Sequence, residues 1–445
     1  MIPLLSLLLG SALAEPPAVS LDQAITAAGQ HPSVLAADRT RDAAWAGVGV
    51  ARPGRLPSFS LSGNVLYYDS EQTFSLVEGD EPMDCSAFPD AFKSMCEGFA
   101  TPTVVREQLT TSVTARAVLP LTGQVTADRQ IAAAKANARA ADATERAAEA
   151  DARYNAEDAW YAALEAEQQL AIANSQVKSL SVRVDAAKAA VEAGSLIRSD
   201  LLLASIALSQ AQQAVIQLTA LRDTAYRRLG LAMGNGGEPV RPDGQLTAPI
   251  RPPPDVDRLM ALAVDYRPDL AAAEERAKAA RASAQATSWM RLPTINAMGA
   301  YTHQTGQGVF SEPDVGYVGA SLDWPVFTWG KAMYAARAAD DNADAAALQV
   351  ELVKGALSVE IHSRADALST AIAGLAVGET VVEQAEENLH IQEARQGAGG
   401  ATMQEVLDAE TTLVKAQSSR ASAEFAARRA EAALERAVGG DPWQS

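Results

Sequence analysis

Cys85 and Cys96 are the only cysteines of the chain and stand in one segment. In an exported protein two such thiols are used as a disulfide. Closing so small a loop stabilises it by about 3 kcal/mol in the chain-entropy model. His31, His303, His362 and His390 are scattered, and none stands near the two thiols, which makes a metal site the poorer use of them. The methionines form no cluster, and Asp and Glu fall mostly on helical stretches with Arg at helical spacing. No Gly-rich phosphate loop follows a strand, so no catalytic set emerges. These residue types predict a protein that is not an enzyme and holds neither metal nor cofactor.

What the chain invests in instead is length. From Gln124 to Ala193 there is no Gly or Pro, and Ala, Glu, Gln, Arg and Leu dominate, the residues that lose least on entering a helix. As one helix this stretch spans about 105 Å at 1.5 Å per residue. Leu170, Val177, Val184 and Val191 recur every seven residues, with Ala173, Leu180 and Ala187 between them. Such a seam expects a partner helix. The partner begins beyond Gly194, where Leu201, Leu208 and Val215 form one row and Ala204, Ala211 and Leu218 the other.

The run Ile2–Ala14 is apolar and ends in Ala12-Leu13-Ala14, a secretory-signal pattern that puts the mature start at Glu15. It lacks the basic residue that ordinarily precedes such a run. No other stretch has eighteen consecutive apolar residues, so any crossing of a membrane falls to strands. A formal charge of −18 excludes nucleic acid as a partner.

The chain repeats itself. Pro32 maps on Pro268, Ala43-Ala44 on Ala279-Ala280, Leu56-Pro57 on Leu292-Pro293 and Gly63 on Gly299, all at one offset. Coincident helix-breaking prolines are hard to obtain from shared composition, so this is a tandem duplication. After each Leu-Pro the period changes to two: Phe59, Leu61, Val65 and Tyr67 alternate with Ser58, Ser60, Ser62 and Asn64, and Ile295, Ala297, Gly299 and Tyr301 with Thr294, Asn296 and Thr302. Each copy has a second such run, ending at Pro120 and Pro325. The division that follows is a signal at 1–14, short helices over 15–57, a hairpin with a long loop over 58–120 and a long helical hairpin over 121–234. A Gly- and Pro-rich linker at 235–254 leads to the second copy, with short helices over 255–293, a hairpin over 294–326, a helical hairpin over 327–440 and a tail at 441–445. The fold class is mainly α with a small β part.

Four strands cannot close a barrel, and an open edge in lipid leaves backbone groups unpaired at several kcal/mol each. Three chains supply twelve strands and twelve long helical staves. With this architecture the sequence resembles the TolC-like outer-membrane efflux protein family over essentially the whole mature chain. The residues that carry the resemblance are Leu56-Pro57 and Leu292-Pro293, the strand ends Leu119-Pro120-Leu121 and Trp324-Pro325-Val326-Phe327 with Gly330, and the paired helix tips. The first copy departs by lacking the Phe and one Gly of the strand-to-helix turn.

The resemblance implies a homotrimeric channel-tunnel whose β-barrel sits among outer-membrane lipid and whose α-barrel reaches a periplasmic adaptor and an inner-membrane transporter. It implies that the second-copy tips close the periplasmic end, with Glu405 and Asp408 at the constriction, three apart and so on one helix face. Six carboxylates at the axis would make the resting pore cation-selective; the alternative is a solvated helix face. Where some relatives carry an Arg just before these acids, Ala401 stands here. The tips Gly194-Ser195-Leu196 and Gly399-Gly400-Ala401 match adaptor-docking positions, although any helix hairpin also wants Gly at its C-cap. Tyr67, Tyr68, Tyr301 and Trp324 suit the aromatic girdles of a barrel or subunit contacts. The function expected is a passive duct of a tripartite efflux or type I secretion system, and the alternative is a periplasmic coiled-coil scaffold or adaptor without a barrel. Four alternating strands have no place in that alternative.

Overall fold

A computed structural model describes residues 15–74, 84–100, 103–244, 246, 249–308 and 311–443. The expected signal at 1–14 lies outside them. In chain order the elements are β1 (Ala18–Val19), α1 (Leu21–Ala28), α2 (Pro32–Ala51), β2 (Ser58–Tyr67), β3 (Gln72–Phe74) and α3 (Asp90–Ala100). Then come β4 (Thr103–Arg106), β5 (Leu109–Pro120), α4 (Gln124–Glu192), α5 (Arg198–Ala232) and β6 (Arg241–Pro242). The second copy supplies α6 (Val256–Tyr266), α7 (Pro268–Trp289), β7 (Thr294–Thr305), β8 (Asp314–Asp323), α8 (Lys331–Gly397) and α9 (Met403–Val438). The described residues form two compact units, one within 15–43, 139–275 and 347–443, the other within 44–138 and 276–346.

The second unit holds a four-stranded antiparallel sheet in the order β2-β5-β7-β8. Both copies of the duplication therefore share one sheet, joined where β5 pairs with β7 from Thr111↔Thr305 to Pro120↔Asn296. The segment between β2 and β5, expected as a plain loop, contains the short β3–β4 ladder and α3. Gly306 and Gly308 take positive φ (75° and 72°) in the second hairpin, and a Cβ on either would meet backbone oxygen of Leu109 or Val104 at 2.2 or 2.3 Å. Only glycine permits that approach.

The first unit is mainly helical and holds α4 from Arg139 onward and α8 from Ala347 onward. The whole of α4 runs 69 residues and α8 runs 67, the latter uninterrupted by Gly355, Gly374 or Gly378, since one Gly costs a long helix only about 1 kcal/mol. Of the expected seam, Leu170, Ala173, Leu180 and Ala187 are buried, as are Ala204 and Ala211 opposite. Small residues let the helix axes approach closely. A second core gathers Trp160, Tyr161, Tyr226, Leu229 and Phe425, and there the indole Nε1 of Trp160 donates to the carbonyl of Val19 in β1 at 3.0 Å. Helices α5 and α8 each carry an 18-residue stretch long and apolar enough by composition to cross a membrane. The expectation that no helix would qualify thus holds for unbroken apolar runs but not for average composition, because Ala and Leu outweigh the Ser, Thr and Gln between them.

Candidate functional site

In the helical unit the two hairpin tips are built alike. At the first, Gly194 N–H donates to Val191 O (3.0 Å) and Ser195 N–H to Ala190 O (2.9 Å); at the second, Gly399 N–H donates to Gln396 O (2.9 Å) and Gly400 N–H to Arg395 O (2.7 Å). With φ of 76° at Gly194 and 75° at Gly399, both are Schellman caps that satisfy the last carbonyls of the preceding helix. The tips then diverge. Leu196 packs with Leu201 and Leu208 against Leu180, Met403 and Leu407. Ala401 is instead followed by a capping box, in which Thr402 Oγ1 accepts from Glu405 N–H and Glu405 Oε2 accepts from Thr402 N–H at 2.6 Å.

Glu405 is therefore first a helix cap. The backbone N–H of Thr402, then its hydroxyl, hold the Glu405 carboxyl below its ordinary pKa. Asp408, exposed like Glu405, accepts from Gln404 Nε2 at 2.8 Å. The same region contains a clasp that sequence reasoning missed. Arg183 on α4 donates through one Nη to Glu393 on α8 (2.8 Å) and through Nε to Glu410 on α9 (3.2 Å), its side chain 15% and that of Glu410 5% exposed. Glu410 Oε1 is buried with no partner among the described residues. The available signal was two charges, Arg183 and Glu410, placed beside apolar heptad rows. A groove of about 700 Å³ opens here between α4 and α8, lined by Ser179, Arg183, Ala187, Leu196, Glu393 and Met403 among others.

Deeper in this unit, burial and then Glu435 and Glu431 raise the Glu157 carboxyl to about 7. Arg251, on the inter-copy linker, pairs with Glu431 (2.7 Å) and Glu435 (2.9 Å), and its guanidinium lies 4.0 Å from the Trp443 ring centre. These groups tie the linker to the end of α9. Among the described residues no group of three or more His, Cys, Asp and Glu is arranged to hold a metal ion.

In the four-stranded sheet β2, β5, β7 and β8 each have 10 or 12 residues, enough to cross a bilayer when tilted. The register aligns Leu61 with Ala115, Ala115 with Tyr301 and Gly299 with Val318, so one face is apolar. The other face aligns Ser62 with Thr114, Thr114 with Thr302 and Asn296 with Ser321. Phe59 is 81% and Val318 90% exposed within the single chain. Such a wall can set one face against hydrocarbon and the other against water. The girdle candidates are spread over it: Tyr301 donates to Asp314 (2.6 Å), Tyr67 to Gln108 (3.4 Å), Tyr68 lies under Arg106 and Trp324 follows β8. Between β2 and β5, Cys85 and Cys96 are disulfide-bonded, their Cα atoms 5.7 Å apart.

Comparison with solved structures finds this fold among outer-membrane channels. The Campylobacter jejuni CmeC outer membrane channel aligns with a TM-score of 0.79 at 14% identity, over 96% of this chain and 87% of that one. The outer membrane protein VceC from Vibrio cholerae aligns at 0.77 and 20% identity over 94% and 96%. The open state of the Neisseria gonorrhoeae MtrE outer membrane channel aligns at 0.75 and 19% identity over 95% and 89%. No curated protein sequence matches the chain. The family model described as outer membrane efflux protein matches residues 25–235 and 259–440, once across each copy of the duplication. The chain belongs to the outer membrane efflux protein family and is a protein of the outer membrane.

Proposed function

We propose that three copies of this chain close a twelve-stranded wall in the outer membrane, continued by their helical hairpins into a periplasmic duct. The duct conducts passively, with energy supplied by an inner-membrane transporter joined through a periplasmic adaptor. The observation that carries this is the sheet: one apolar face, one polar face, and two outer strands, β2 and β8, with no further partner within the sheet. Because strands alternate in direction, β2 and β8 run oppositely, and β8 of one copy beside β2 of the next continues the antiparallel alternation without a break. Three copies then leave no edge in lipid.

In this reading the export signal is 1–14, and the tips at Gly194-Ser195-Leu196 and Gly399-Gly400-Ala401 meet the adaptor, with the groove beside Leu196 as the receiving surface. Glu405 and Asp408 of three copies ring the constriction. Two carboxylates roughly 6 Å apart repel by about 3 kcal/mol at an effective dielectric of 20. The ring attracts cations accordingly, while Arg183 with Glu393 and Glu410 holds each tip closed in place of the Arg absent at Ala401.

The test is purification from outer membranes followed by planar-bilayer conductance. A heat-resistant trimer that forms cation-selective pores blocked by multivalent cations is expected. A water-soluble monomer without conductance overturns the duct, and a conducting trimer whose selectivity survives Glu405→Ala with Asp408→Ala overturns the acidic ring alone.

A further inference from the structure

The corner after β8 carries a dense exposed apolar surface: Val326 is 74%, Phe327 73% and Trp329 87% exposed. The Phe327 and Trp329 rings meet edge to face with centres 4.9 Å apart. Trp329 has φ 51° and is, among the described residues, the sole non-glycine with positive φ. A bulky side chain there strains the backbone, and the exposed indole gains little within the chain in return.

The equivalent corner after β5 differs. Leu121 and Thr122 replace the aromatics, Thr122 Oγ1 accepts from Ile295 N–H at 2.8 Å, and Thr122 Oγ1 donates to Pro293 O at 3.1 Å. That corner lies inside the sheet, where β7 covers it. The aromatic corner follows the edge strand β8, and Val326, Phe327 and Trp329 stay exposed there among the described residues.

The other edge offers a complement. Ser58 aligns with Val118, Pro120 with Asn296 and Thr294 with Asp323, so the start of β2 and the end of β8 lie at the same end of the sheet. At the start of β2, Leu56 is 60% and Phe59 81% exposed. Arg52 is exposed just before them, and Asp323 is exposed just before the aromatic corner. The edges thus differ in shape, with exposed Arg52 on one and exposed Asp323 on the other, which suits a heterologous joint that closes as a ring rather than a two-fold dimer.

We propose that the Trp324–Trp329 corner docks on a second copy of this chain, over Leu56, Pro57 and Phe59, with Asp323 facing the neighbour's Arg52. The joint rests on the trimer reading and adds its head-to-tail specificity: the second repeat's aromatic corner grips the first repeat's Leu-Pro turn. Trp329 then has the contact that repays its backbone.

The test places the photo-crosslinking residue p-benzoylphenylalanine at position 327 of the full chain in outer membranes. Crosslinked copies mapping to residues 50–61 of the neighbour are expected. Phe327→Ala with Trp329→Ala should leave the helical circular dichroism intact while raising the detergent-stable monomer by about tenfold, the scale of losing an aromatic hot spot. Arg52→Asp alone should weaken the trimer, and adding Asp323→Arg should restore it, which no misfolding effect would do. Crosslinks to lipid, to another protein or elsewhere in the chain overturn the joint, as does failure of the double reversal to rescue. If the unsubstituted protein forms no trimer, it is the trimer reading that falls.

Discussion

The two helix tips share a backbone and differ in what surrounds it. Both end α4 and α8 in the same pair of Schellman hydrogen bonds around a left-handed glycine. After the first, Ile197 opens α5 with no side-chain cap, and the tip is held by apolar packing of Leu196. After the second, Thr402 and Glu405 close a capping box, and Arg395 donates to Gly400 O at 2.8 Å. Duplication thus kept the turn and changed the fastening. The first tip is fastened by apolar packing, whereas the second adds a polar cap of its own to the packing of Met403 and Leu407 in the same apolar cluster.

Arg183 is where the two tips are tied together, so its loss should have the largest effect. Arg183→Ala strands Glu410, whose side chain is 5% exposed, and removing one partner of a buried pair costs about 3 kcal/mol. Thermal unfolding of the detergent-solubilised protein should show the drop, and Arg183→Ala with Glu410→Gln should recover much of it. Failure to recover would mean that Arg183 acts through packing, and the tips are then not joined by charge.

Next in size is the response to pH, which separates the second tip from the helix interior. The Glu405 carboxyl is depressed by Thr402, so the stability it lends is present above the ordinary carboxylate pKa and fades as pH falls through the lower folded value. The Glu157 carboxyl is raised to about 7 by burial, Glu435 and Glu431, so its ionisation costs stability above that pH. Glu157→Gln should stabilise by about 2 kcal/mol at pH 8 and by little at pH 5. Glu405→Gln should destabilise at pH 7, and the difference should vanish in acid. Melting curves at pH 8 and pH 5 for Glu157→Gln, and at pH 7 and well below the ordinary carboxylate pKa for Glu405→Gln, check both signs.

The duplication, both long helices, the strand positions and the glycine turns were legible because each leaves a local signature: missing Gly and Pro, a seven-residue seam, a period of two, or Gly194 and Gly399 where a helix stops. Sheet order was not legible, since the pairing of β5 with β7 joins residues far apart in the chain and no local pattern names a partner. Arg183, Glu393 and Glu410 were missed for the same reason. Each is an ordinary helical charge until α4, α8 and α9 are laid side by side. Glu405 was read from the sequence as a constriction acid, but Thr402 three residues earlier already marked it as a helix cap, a bland signal that the more specific one overshadowed.

The smallest expected effects bear directly on the difference between the tips. Thr402→Ala should cost about 1 kcal/mol through loss of the cap. Ile197 occupies the same cap position in the first tip with extended φ and ψ of −87° and 151°, so a hydroxyl there can accept from the first turn of α5 without rearrangement. Ile197→Thr should therefore stabilise by about 0.5 kcal/mol, despite removing an exposed apolar side chain. If it destabilises instead, Ile197 contributes packing that an exposure of 66% conceals. The first tip would then be fastened apolarly along its whole length, and the contrast with the capped second tip would be deeper than the helix ends alone show.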